Sequence, residues 1–155
     1  MMRVNLGCPR LCAGWTCVDL HPKDTGVIQA DAIEYMSALP SGAVSEILTE
    51  NLLEHLPNVQ QFLEACYDAL QGDGRIRVVT DNAEWLPFYL PLALPRLGVG
   101  AHAVKSYALR FNTVHLSIFS PMHLRLHLSN AGFREVRVRR LWRYALARLE
   151  GVGLK

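Results

Sequence analysis

The sequence predicts an α/β sandwich built on a mostly parallel sheet. Three observations carry this. Short apolar runs rich in Val, Ile and Leu recur along the chain, several ending at a glycine or a carboxylate. Between several of them lie segments whose apolar residues repeat at helical spacing. The 155 residues, 50% of them hydrophobic, suffice for one domain (1–155) with a full core and no covalent staples.

Arg3 to Leu6 and Thr16 to Leu20 read as the first two strands, and Val27 to Ala30 as a short third. Asp31 opens a brief helical patch through Met36, and Val44 to Thr49 is a fourth strand ending at Glu50. Asn58 then caps the clearest helix, where Val59, Phe62, Leu63, Cys66 and Leu70 form one apolar face. Gly72 and Gly74 are expected to close it, with a fifth strand from Arg75 to Val79 running into Thr80-Asp81. Ser120-Pro121 is an N-cap followed by proline at the first helical position, opening a helix to Gly132. Phe133 to Val138 and Trp142 to Leu149 read as the last two strands. The least regular part, Asn82 to Phe119, holds "WLPFYLPLALPRLGVG". It is expected to act as an apolar lid or acceptor pocket, or as a homodimer surface through residues 85–100.

A net charge of +2 gives no general attraction to nucleic acid or anionic lipid. No run reaches the ~18 apolar residues of a membrane span. The first residues enter a strand pattern without a cleavage site, so a cytoplasmic protein is expected. Cys8, Cys12, Cys17 and Cys66 contain no CxxC pair, so reduced thiols are expected and a metal site is not.

In parallel sheets, ligands sit outside the carboxyl ends of the strands. Here those ends carry Gly7, Asp19, Asp31, Glu50 and Asp81, a set suited to hydroxyls, amines or positive charge. A dinucleotide needs more glycines and a helix N-terminus for its pyrophosphate, and ATP or GTP needs GxxxxGK[ST]; neither is present. S-adenosylmethionine carries no phosphate. Gly7 would let the backbone approach its methionine end, Asp19 would accept from ribose hydroxyls, and Asp31 and Ala32 would serve the adenine. Each residue also has a structural reading: Gly7 as a strand end, Asp19 as a turn former before His21-Pro22, Asp31 as a helix cap.

The stretches "VNLGC…GWTCVDLHP", "QADA", "ILTENLLEHLP", "LQGDGRIRVVTDN" and "HLSIFSPMHLRLHLSNAGFREVRV" resemble, in order, the motifs of class I S-adenosylmethionine-dependent methyltransferases, in particular the small type-11-like branch. The resemblance implies a three-layer, Rossmann-like fold with a seven-stranded sheet of order 3-2-1-4-5-7-6, strand 7 antiparallel. It implies S-adenosylmethionine as cofactor, with Asn5, Gly7 and Cys8 on the cofactor loop, Asp19 and Leu20 at the ribose, Asp31 and Ala32 at the adenine, and Glu50 and Asn51 beside methyl transfer. The family's second glycine is absent, with Pro9 in that region, and Ser45-Glu46 replaces its usual acid at the start of strand 4.

Glu50, His55 and His115 are the candidates for catalysis, His115 as a general base. His123 and His127 stand four apart on one helix, but no third ligand accompanies them. No [ND]PP[YF] motif follows strand 4, which disfavours methylation of exocyclic base amines. The arginine-rich tail, Arg134 to Arg148 with Trp142 and Tyr144, suits either RNA or DNA binding or a solvent-facing row that blocks edge pairing. The leading expectation is methyl transfer to an O or N atom of a small molecule. The alternatives are a non-catalytic subunit that binds cofactor or partner, and an RNA methyltransferase.

Overall fold

The computed structural model describes residues 1–85, 115–142 and 147–155. Its strands are β1 (Met2–Leu6), β2 (Thr16–Asp19), β3 (Ile28–Gln29), β4 (Val44–Glu50), β5 (Leu70–Asp81), β6 (Arg134–Arg140) and β7 (Arg148–Leu154). Its helices are α1 (Ala32–Ala38), α2 (Val59–Ala69) and α3 (Pro121–Asn130). All seven strands form one sheet of order β3-β2-β1-β4-β5-β7-β6. β1 to β5 pair in parallel, and β7 runs antiparallel to both β5 and β6.

The caps read from the sequence are in place. Asp31 Oδ1 accepts from Ile33 N and Glu34 N, Asn58 Oδ1 from Gln61 N, and Ser120 Oγ from His123 N. α2 buries Val59, Phe62, Leu63 and Cys66, the stripe its periodicity predicts.

Strand alternation divides the sheet into two unlike faces. Val4, Leu6, Ile47, Ile76 and Val78 join residues of α1, α2 and α3 in one core. The opposite face carries charge: Glu46 bridges Arg3 and Arg75, and Glu150 bridges Arg77 and Arg139. The third layer that the fold class implies is not among the described residues.

Several expected boundaries move. β5 begins at Leu70 rather than Arg75, because the Leu70 backbone turns extended while its N–H still caps α2, so helix runs into strand without a loop. Gly72 and Gly74 therefore lie inside the strand rather than closing the helix. α3 ends at Asn130, with Gly132 two residues beyond in a left-handed turn. The last strand is Arg148–Leu154, not Trp142 to Leu149; residues 143–146 lie outside the described set. Its glycines, beyond the end of the expected strand, allow close packing. A Cβ on Gly151 would lie 3.0 Å from Leu128 Cδ1, and one on Gly153 would lie 2.8 Å from Phe133 Cβ.

The arginine tail is largely paired. Arg139 bonds Glu150, Arg140 bonds Glu84, Arg148 lies 3.8 Å from Asp81, and the Arg134 guanidinium donates to the Lys155 carbonyl. Trp142 is exposed, whereas Tyr144 lies outside the described residues. So does most of the expected lid and dimer segment. No described helix is long and apolar enough to cross a membrane.

Gly153→Ala should lower unfolding free energy by about 1–3 kcal/mol, the cost of overpacking. Gly72→Ala, with open space around its Cβ, should stay within about 0.5 kcal/mol of wild type. Urea denaturation of both variants measures the contrast.

Candidate active site

The carboxyl ends of β1 to β5 share one edge of the sheet, and the strand order turns back between β1 and β4. A cleft of about 410 Å3 opens at that edge. Its walls come from Gly7, from Val18, Asp19 and Leu20, from Ala30, Asp31 and Ala32, and from the segment after β4 that includes Asn51, Leu52 and His55.

Gly7 is required twice over. Its φ is +74°, in the left-handed region, and a Cβ there would lie 3.2 Å from Leu52 Cβ. Gly7 N and Cys8 N both donate to Val18 O, drawing the loop across the top of β2.

Asp19 and Asp31 each divide their work. Asp19 Oδ1 accepts from His21 N at 2.7 Å, and Asp31 Oδ1 holds the first turn of α1 at 2.8 and 3.1 Å. The second carboxylate oxygen of each has no partner among the described residues and belongs to an acid on the cleft wall. Turn former and ligand acceptor are thus compatible roles. Asn51 ends β4 with φ 53°, a left-handed conformation asparagine tolerates, pinned by its N–H to Val79 O.

Beside the cleft lies a polar cluster. The His55 and His115 rings meet edge-to-face with centroids 4.9 Å apart. His115 Nδ1 lies 3.6 Å from Asp81 Oδ2, buried and without a hydrogen bond among the described residues. Leu116 N and Ser117 N both donate to Glu54 O, fastening this segment to the turn after β4. Glu54 itself is 1% exposed and accepts from Thr80 Oγ1 at 2.8 Å. Burial raises its carboxyl above the ordinary range; the Thr80 hydrogen bond opposes this and the nearby Asp81 charge adds to it.

Of the expected site residues, Gly7, Asp19, Leu20, Asp31, Ala32, Asn51 and His55 line the cleft. Asn5, Cys8, Glu50 and His115 do not. Asn5 is buried with its amide toward Cys12 Sγ, the Cys8 thiol turns to Arg10 O and Cys12, and alternation puts Glu50 on the face opposite Thr49. Asp81 is taken up by His115 and Arg148 rather than facing the cleft. His127 packs on Gln60 and Phe119 instead of pairing with His123 around a metal. The buried Glu54 went unread beside His55; an acid inside "NLLEHLP", surrounded by leucines, was its available signal.

No family model matches the chain, and no curated protein matches it in sequence. Its structure is nonetheless close to solved ones. A SAM-dependent methyltransferase from Archaeoglobus fulgidus aligns with a TM-score of 0.73 at 17% identity, covering 99% of this chain and 86% of that one. A possible histamine N-methyltransferase from Thermotoga maritima gives 0.70 at 15%, covering 99% and 82%. A Haloferax volcanii putative methyltransferase, solved with its Trm112 activator, gives 0.65 at 13%, covering 99% and 81%. The fold is that of the class I S-adenosylmethionine-dependent methyltransferases.

Because the folded state holds Glu54 at a raised pKa, it binds this proton more tightly than the unfolded chain does. Stability attributable to Glu54 therefore falls as pH rises through the folded pKa. Glu54→Gln should gain stability relative to wild type as pH rises above the ordinary carboxylate range, read from denaturation midpoints at acidic and at neutral pH.

Proposed function

We propose that the cleft binds S-adenosylmethionine and that the protein transfers its methyl group to an oxygen or nitrogen of a small acceptor. The observation that carries this reading is the row Gly7, Asp19 and Asp31 on one cleft, at the switch point of a sheet with methyltransferase strand order. The donor set fits: two carboxylates, bare backbone at Gly7, and no lysine or arginine among the described residues of the wall, which favours hydroxyls and amines over phosphates. The volume lies in the range of small-molecule sites.

Asp19 accepts from the ribose hydroxyls through its free oxygen, and Asp31 from the adenine amino group. Gly7 keeps side chains away from the amino-acid end. When bound, the sulfonium supplies an activated methyl group, so the protein's task is chiefly alignment. A ring nitrogen of His55, the cluster's member on the cleft wall, takes the proton the acceptor loses. His115, beside Asp81, positions that ring.

A second reading is a subunit that binds the cofactor and acts only with a partner, as the solved complex of the Haloferax volcanii protein with its activator illustrates for that protein. An RNA acceptor is less favoured, since Arg139, Arg140 and Arg148 each face a carboxylate.

Calorimetric titration with S-adenosylmethionine and S-adenosylhomocysteine should show binding by wild type. Asp19→Ala should weaken it about 10-fold or more, the loss of one charged hydrogen bond. Asp31→Ser, which keeps the helix cap, should weaken it while leaving stability nearly unchanged. Absence of binding by wild type ends the reading. Where turnover is found across a panel of amine and hydroxyl acceptors, His55→Asn should cut kcat about 100-fold or more with unchanged cofactor affinity. Binding without turnover on any acceptor favours the partner-dependent subunit.

A further inference from the structure

The β1–β2 connection does something its spacing gives no sign of: it gathers three thiols. Cys8 Sγ lies 3.6 Å from Cys12 Sγ, and the sulfurs of Cys8, Cys12 and Cys17 all lie within 4.8 Å of one another. Cys17 is buried in β2, while Cys8 and Cys12 reach partway to the surface and leave an entry path. Thiols are weak donors and weak acceptors, so hydrogen bonding among them is a poor reason to converge. Tetrahedral zinc with sulfur ligands at about 2.3 Å sets neighbouring sulfurs roughly 3.8 Å apart, close to the Cys8–Cys12 separation.

The backbone holds this arrangement without help from the sulfurs. Lys23 N donates to Pro9 O at 2.7 Å, Leu11 N to Asp24 Oδ2 at 3.1 Å, and Trp15 N to Cys12 O at 3.1 Å. Asn5 Nδ2 stands 3.9 Å from Cys12 Sγ, where an N–H supports a thiolate.

We propose that Cys8, Cys12 and Cys17 form a three-thiolate site for a thiophilic d10 cation, Zn2+ foremost, with the fourth position open to water. Each thiol releases its proton to solvent as its sulfur binds the metal, and no electrons move. The ion ties the start of the connection to β2 directly beside Gly7, ordering one wall of the cleft. The site does not depend on the methyl-transfer reading.

The test uses reduced, chelator-treated full-length protein. Titration with Co2+ should give one ion per chain with a thiolate-to-cobalt charge-transfer band, displaced by Zn2+. Cys12→Ser should weaken uptake at least about 10-fold, the least that losing a metal contact costs. Cys66→Ala, which removes a thiol in the α2 core, should leave uptake unchanged. Should Cys12→Ser fail to fold by circular dichroism, alkylation of wild type decides instead: Zn2+ should protect the two accessible thiols, Cys8 and Cys12, together. No cobalt band and no protection, uptake that survives Cys12→Ser and Cys17→Ser, or a Cys8–Cys12 disulfide re-forming in place of uptake overturns the site. Metal uptake without S-adenosylmethionine binding would spare this site and sink only the methyltransferase reading. Cofactor binding without uptake would do the reverse.

Discussion

The structure turns on a short connection. β1 and β2 lie side by side in parallel, so the chain must travel back the length of a strand between them, and it has only residues 7–15 to do so. Parallel neighbours usually spend a dozen residues or more on that return, with a helix among them. Here left-handed turns at Gly7 and Gly14 replace the helix, and two amides drawn onto Val18 O anchor the loop. With no helix in it, this connection offers no helix N-terminus of its own to hold a phosphate beside Gly7. Beside Gly7 the cleft is left with bare backbone, and its described acids are Asp19 and Asp31. The same tight return sweeps Cys8 and Cys12 onto Cys17.

The sheet keeps its two faces distinct by chemistry as much as by packing. On the apolar side, Gly151 and Gly153 allow α3 and Phe133 to settle against β7. On the other, each buried or half-buried glutamate stands between two arginines on neighbouring strands. Burial would raise both carboxyls, but the arginine hydrogen bonds hold Glu46 and Glu150 below the ordinary range. Their contribution to stability is therefore present above the unfolded pKa and lost as pH falls through the folded one. Exposed pairs of this kind add little energy each. Their use is in register, because a slip by one residue would send the charges into the core.

Most of the fold was legible where one local rule decided the outcome. Asp31, Asn58 and Ser120 are caps by residue type and position, and the stripe of α2 follows from periodicity alone. Gly7, Asp19 and Asp31 were legible because strand ends in a parallel sheet face one edge. What escaped depended on distant partners. Gly153 lies beyond the expected last strand, and its place there depends on Phe133, which presses on it. Asp81 reads as a rim acid until His115 and Arg148 arrive from the far end of the chain. The convergence of the cysteines is a property of the loop's path, and no CxxC spacing announces it.

One bridge has a consequence for how such a protein can change. Asn82 pairs with Phe119, and Ala83 N donates to Phe119 O at 2.8 Å, so two points far apart in the sequence meet at one backbone junction. Where two such points are joined, the entropy of closing the chain between them grows slowly with its length, since even doubling a flexible loop costs only about 0.6 kcal/mol. The β-strands and the acids at their ends can then stay constant while the length of chain between the joined points changes. Descendants of this chain could acquire new chemistries there at little cost to folding.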